Sequence, residues 1–146
     1  MKSPQTLIRR GYRLGPVALA AMLGLAAGTG MGAAAEPTGV ALTTLVQRAL
    51  PDLPGKTLTA VVVRLAPGTV VPAHHHAGFV FAYVLSGTVR SQLNRGAVVD
   101  YRTGQSWLEP PGTEHTLTAN PSRTEPARLL AVFVAPTGAK LTTFGR

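Results

Sequence analysis

Beyond residue 56 the hydrophobic positions form short runs of strand length, rich in Val, Leu, Phe and Thr. Turn-forming Gly, Pro, Asn and Ser residues separate these runs. The six predicted strands are residues 57–65, 79–85, 88–93, 97–101, 115–119 and 129–134. No helical pattern lies between them, so the chain is predicted to form an all-β antiparallel sandwich or barrel rather than parallel βαβ units.

A different pattern precedes these strands. Apolar residues recur there with spacings of three and four, and they are Leu42, Leu45, Val46, Ala49 and Leu50. Because this is the spacing of one face of a helix, and Pro51 interrupts it, we predict a short amphipathic helix over residues 43–50. The predicted organisation is an N-terminal arm over 36–56, a barrel over 57–135 and a C-terminal tail over 136–146.

Residues 1–35 have the composition of a secretory signal peptide. Four basic residues precede an uncharged stretch of 22 residues that ends in Ala33-Ala34-Ala35. Cleavage is expected after Ala35, with no membrane anchor remaining, which places the mature protein in the periplasm or outside the cell. An uncleaved anchor is the alternative, although Pro16 and five glycines disfavour a lasting helix. The pair Arg9-Arg10 leaves both twin-arginine and general secretory export open.

Half of the net positive charge of the 146-residue chain comes from this segment. The whole sequence has 14 basic and 6 acidic residues, for a net charge of +8. Removing residues 1–35 leaves ten basic and six acidic residues, so the net charge falls to +4. The remaining arginines are scattered and few aromatic residues accompany them, which argues against nucleic acid as a partner. The absence of cysteine excludes a disulfide scaffold.

The four histidines carry the clearest chemical signal. Three are consecutive, His74-His75-His76, and the fourth is His115. Side chains alternate along an extended segment, so His74 and His76 share one face and His75 points away. A third imidazole from a neighbouring strand would complete a site for a divalent metal, with positions left for water or substrate.

These histidines lie in two blocks framed by glycine and proline. The first block reads G-x5-H-x-H-x10-G, at Gly68, His74, His76 and Gly87. The second reads G-x5-P-x-G-x2-H, at Gly104, Pro110, Gly112 and His115. Together the blocks resemble the paired motifs of the cupin superfamily, in its small single-domain type. The resemblance implies a double-stranded β-helix, or jelly-roll, barrel with the histidines facing its interior.

Two positions depart from the family pattern. The family places a Glu four residues after the second motif histidine, where this chain has Val80, and the motif asparagine is displaced by one to Asn120. Valine cannot ligate a metal, so the site is either three histidines with water, a set completed by a ligand from elsewhere, or a degenerate site without metal. Thiol dioxygenases, which the three-histidine set resembles, need a further supporting histidine that His75 does not supply.

Three polar residues are further candidates for chemistry. Glu109 and Glu114 flank the second block and could act as acid, base or spare ligand, and Gln92 could place an amide at the barrel mouth. Solvent exposure is the alternative role for each. Alternation also places Val80, Ala82 and Val84 on the interior face, which predicts an apolar pocket floor.

The sequence therefore predicts an exported cupin that binds one divalent transition metal, Fe, Mn, Ni, Cu or Zn, through His74, His76 and His115. A dioxygenase-like or lyase/isomerase-like enzyme acting on a small molecule is one interpretation. A non-catalytic module that binds a small ligand or a metal is the alternative, and a structural protein that pairs through its strand edges is a third. A homodimer is expected because cupins commonly dimerise.

Overall fold

The computed structural model describes residues 37–145, which form two antiparallel β-sheets. The eleven strands of this part of the chain are β1 Val40–Ala49, β2 Lys56–Leu65, β3 Val70–Val71, β4 His74–His76, β5 Phe79–Ser86, β6 Thr88–Leu93, β7 Val99–Arg102, β8 Ser106–Glu109, β9 Glu114–Ala119, β10 Ala127–Pro136 and β11 Thr142–Phe144. The predicted all-β double-stranded β-helix is confirmed. The predicted signal peptide lies outside the described residues.

One sheet has the strand order β1-β2-β10-β5-β8, and the other has the order β11-β4-β9-β6-β7, with β3 also paired to β9. Successive strands of the chain thus often cross from one sheet to the other, as in a jelly roll. Among the described residues, no helix is long and apolar enough to cross a membrane.

Strand β10 shows why the sheets face each other. Its residues alternate between buried and partly exposed over its whole length. Leu129, Ala131 and Phe133 are among those that point inward, each at most 6% exposed. Because strand side chains alternate between faces, one side of this strand packs into the core while the other is left at the surface.

The predicted helix over residues 43–50 is wrong, because this segment is strand β1. It pairs antiparallel with β2, and the register shifts between Thr44 and Val46, so that Leu45 is an extra, unpaired residue. Such a bulge breaks the two-residue alternation and leaves apolar residues spaced by three and four, which mimics a helical face. The open edge of β2 and the β-branched residues of the segment then favour a strand.

Asn120 anchors the end of β2. Its side chain is 2% exposed, and its Nδ2 group donates to the carbonyl oxygens of Leu65, Ala66 and Glu125. Its Oδ1 atom accepts from the amide of Ser122. This asparagine links the end of β2 to the loop that precedes β10, so its displacement by one position is compatible with a structural role.

Candidate metal centre

Strands β4 and β9 bring the three motif histidines together. His74 lies directly opposite His115 in the antiparallel register, and His76 is two residues farther along the same face of β4. Each of the three rings offers one nitrogen, and these nitrogens all lie within 4.8 Å of one another. His75 does not line the cavity described below. The structure thus assembles the cluster that alternation predicts, and it could hold a metal ion.

Backbone carbonyl groups orient two of the rings. Nδ1 of His74 lies 2.8 Å from the carbonyl oxygen of Pro72, and Nδ1 of His76 lies 3.2 Å from that of Leu141. A carbonyl oxygen can only accept, so these two hydrogen bonds require the proton on Nδ1. Nδ1 of His76 also lies 3.2 Å from the Oγ1 hydroxyl of Thr142, which accepts equally well. Nε2 of each ring is therefore left with a lone pair, which is the form that a metal requires.

Two hydroxyl groups hold the third ring. Nε2 of His115 lies 2.8 Å from Oγ of Ser91 and 2.8 Å from Oγ1 of Thr118. All of these residues are buried. With both hydroxyl contacts on Nε2, the Nδ1 atom is buried without a hydrogen-bond partner. Ser91 and Thr118 thus orient His115, and sequence analysis did not identify either residue as part of the site.

Glu109 joins this cluster from the opposite sheet. It lies at the end of β8, is 2% exposed, and accepts a hydrogen bond from Nε1 of Trp107 at 2.9 Å through Oε1. Oε1 also lies 3.3 Å from Nδ1 of His115, and Oε2 lies 3.7 Å from Nε2 of His76. Oε2 is buried and has no hydrogen-bond partner. Of the three polar candidates from the sequence, Glu109 is the one that reaches the histidines.

Gln92 and Glu114 lie elsewhere. The amide of Gln92 donates to the carbonyl oxygen of Gly96 and accepts from Thr116, within the surface of the β6–β9 sheet. Glu114 pairs in register with His75, on the face that points away from the cluster. Neither residue lines the cavity. The structure therefore does not place these two side chains where they could contact a ligand bound beside the histidines.

Burial lowers the pKa of two of the imidazoles, those of His74 and His76, and so favours their neutral form. It lowers the pKa of His74 to about 4, and it also lowers the pKa of His76 despite the opposing charge of Glu109. Burial alone would raise the pKa of Glu109, but the nearby rings of His115 and His76 and the indole of Trp107 outweigh it and lower that pKa. Neutral imidazoles beside a buried carboxylate form a donor set that suits a divalent transition metal.

The cluster lies in a cavity of about 270 Å³ with mostly apolar walls. Val80, Ala82 and Phe133 contribute from the five-stranded sheet, as alternation predicts for the first two. Val84 points inward as predicted but is packed in the core and does not line the cavity. The exposed side chain of Lys140 also borders the cavity. The volume is close to the lower end of the range of about 300–1,000 Å³ that is usual for small-molecule sites. The cavity can therefore accept a small and largely apolar molecule.

The metal-free protein should lose stability as the pH falls from about 6.5 to about 4. The pKa of His74 is about 4 in the folded protein and about 6.5 in an unfolded chain, so in this window the unfolded chain binds a proton that the folded protein excludes. The ring faces His76, His115 and Glu109, and the lowered pKa of Glu109 acts in the same direction at the acidic end. The expected loss is on the order of 2–3 kcal/mol.

Thermal unfolding in EDTA at a series of pH values measures this slope. A His74→Gln variant should show a shallower dependence, whereas His75→Gln, which changes the neighbouring residue outside the cavity, should keep the wild-type profile. A flat wild-type profile over this range would contradict the expectation.

Comparison with known protein families identifies the family of this chain. The sequence model of the cupin domain family matches residues 61–133, which is half of the chain. None of the curated proteins matches the sequence significantly.

Solved structures share the fold at low sequence identity. An uncharacterized conserved protein with a double-stranded beta-helix domain from Klebsiella pneumoniae has a TM-score of 0.59 and 21% identity, over 77% of this chain and 89% of that one. The DMSP lyase DddQ from Ruegeria pomeroyi has a TM-score of 0.57 and 18% identity, over 72% of this chain and 51% of that one. KdgF from Halomonas has a TM-score of 0.52 and 22% identity, over 67% of this chain and 79% of that one.

Proposed function

The chain belongs to the cupin domain family, and on this basis we propose that it is an exported metal-dependent enzyme acting on a small, largely apolar molecule. His74, His76 and His115 would hold one divalent transition metal. The observation that carries the proposal is the group of three imidazoles, two buried and that of His76 partly buried, beside a buried carboxylate at the wall of an apolar cavity. Such a site pairs a cation-binding donor set with room for an organic ligand.

The chain's own residues would prepare the site for catalysis. The Pro72 and Leu141 carbonyl groups keep the lone pairs of His74 and His76 available, and Ser91 and Thr118 hold His115. The apolar walls exclude water and strengthen electrostatic interactions within the cavity. Lys140 at the border could contact an anionic group of the substrate. A bound divalent metal would supply Lewis-acid or dioxygen chemistry.

Turnover by the metal-loaded protein tests the enzyme proposal. We expect oxygen uptake or product formation with a member of a panel of phenolic and dicarbonyl compounds and DMSP, the last because a DMSP lyase shares the fold. Activity should fall to background after EDTA treatment and return when the metal is restored. Binding of a panel compound, detected as a thermal shift, with no turnover at any metal would instead favour the non-catalytic binding module.

Export and dimerisation are parts of the proposal that need their own measurements. Cleavage after Ala35 would give a secreted chain whose first residue is Glu36, as read by N-terminal sequencing of protein recovered from the periplasm or medium. A homodimer would be seen as twice the monomer mass in light scattering. The edge strand β1, with Leu42 and Leu45 each 60% exposed, is the surface that we propose for this contact.

A further inference from the structure

Val80 and Glu109 are neighbours across two strands. They form a register pair between β5 and β8, they are 1% and 2% exposed, and both line the cavity. Side chains directly opposite each other in an antiparallel pair have Cβ atoms about 4.5–5.5 Å apart. A carboxylate on residue 109 therefore enters the same part of the cavity as a side chain on residue 80, where the cupin motif has its glutamate.

The polar atoms around Glu109 are incompletely satisfied. Its Oε2 atom and Nδ1 of His115 are both buried without a hydrogen-bond partner. Oε2 lies 3.7 Å from Nε2 of His76, whose lone pair is free because Nδ1 donates to the carbonyl of Leu141. Buried polar atoms are rarely left in this state. A cation held between the carboxylate and the rings would satisfy them together.

We propose that Glu109 is the carboxylate ligand of the metal centre, supplied by β8 in place of the β5 position that Val80 occupies. The centre would then contain three histidines and one glutamate, with the glutamate moved to the adjacent strand. Trp107 acts as a positioning residue, because its Nε1–H group donates to Oε1 and restricts the rotation of the carboxylate. This inference rests on the proposed function, since it concerns the same metal.

Cobalt(II) is the probe that tests the proposal, because its visible spectrum reports on the atoms that coordinate it. Affinity and spectrum would be measured for the wild type, Glu109→Gln, and Glu114→Gln as a control that removes a carboxylate outside the cavity. A fourth protein, Glu109→Val/Val80→Glu, moves the carboxylate to the strand where the motif has it. Circular dichroism of each metal-free protein checks the fold.

We expect Glu109→Gln to weaken cobalt binding by about 100-fold or more. Loss of a residue that only hydrogen-bonds to a ligand already lowers metal affinity by about 10–100-fold. Its spectrum at saturation should differ from that of the wild type. Glu114→Gln should stay within about three-fold, and the transposed variant should recover affinity to within about ten-fold of the wild type. Recovery would distinguish a ligand from a residue that only orients His115, since residue 80 is on a different strand.

The proposal is overturned if Glu109→Gln binds cobalt as tightly as the wild type. It is also overturned if affinity falls but the saturated spectrum is unchanged and a folded transposed variant shows no recovery. Should the transposed variant fail to fold, the spectrum of Glu109→Gln decides between these outcomes. A wild type that binds no metal would instead refute the proposed function itself.

Discussion

Replacing His74, His76 and His115 together by alanine should abolish metal binding. The wild type is expected to retain near-stoichiometric divalent metal after desalting, whereas the His74→Ala/His76→Ala/His115→Ala variant should retain almost none. The variant keeps only the Glu109 carboxylate of the cluster. Loss of a residue that only hydrogen-bonds to a ligand already lowers metal affinity about 10–100-fold. Removal of three ligands should therefore lower it by more than about 10⁴-fold.

Elemental analysis gives the stoichiometry, and thermal unfolding gives a second readout. A metal present at about 100 times its dissociation constant stabilises a folded protein by about 2.7 kcal/mol, so the wild type should melt at a higher temperature with metal than in EDTA. The variant should show no such difference. His75→Ala is the matched control, because it removes the adjacent histidine that does not line the cavity. Equal metal content in the triple variant and the wild type would refute the site.

Gly78→Ala should destabilise the protein by about 3 kcal/mol or more, because two effects combine at this turn. Gly78 links β4, which carries His76, to β5 and has a φ angle of +90°, in the region that favours glycine. A Cβ atom at this position would also collide with the backbone of Val134 and Ala135 on β10. The turn could relieve the collision only by moving away from β10, which would displace His76.

The matched control is Gly68→Ala, which separates backbone strain from the collision. Gly68 has a φ angle of +70°, but a Cβ atom there would meet nothing within 4 Å. Gly68→Ala should therefore lower the free energy of unfolding only by the backbone strain, about 1–2 kcal/mol. Chemical denaturation of the metal-free proteins measures both values, and cobalt affinity should fall for Gly78→Ala alone. Equal destabilisation by the two substitutions would show that close packing against β10 is unimportant.

Strand positions were predictable from the sequence where alternation and turn residues agree. Strand β6 occupies residues 88–93 as predicted, and β2 and β5 differ from prediction by one residue at an end. Strand β1 was not predictable, because its bulge at Leu45 produces the spacing of a helix. The short strand β8 was missed as well, since the adjacent apolar residues Trp107 and Leu108 do not alternate with polar ones.

Some residues of the site could be placed from the local sequence pattern, and others only from the pairing of distant strands. The sequence by itself determined that His74 and His76 share a face, because side-chain alternation is a property of the extended backbone and needs no partner strand. Only the tertiary structure decided that Glu109 is buried beside them and Gln92 and Glu114 are not. That choice depends on the pairing of β8 with β5, which places residue 109 opposite Val80. Register between strands distant in sequence is set by packing of the whole barrel, so no local pattern encodes it.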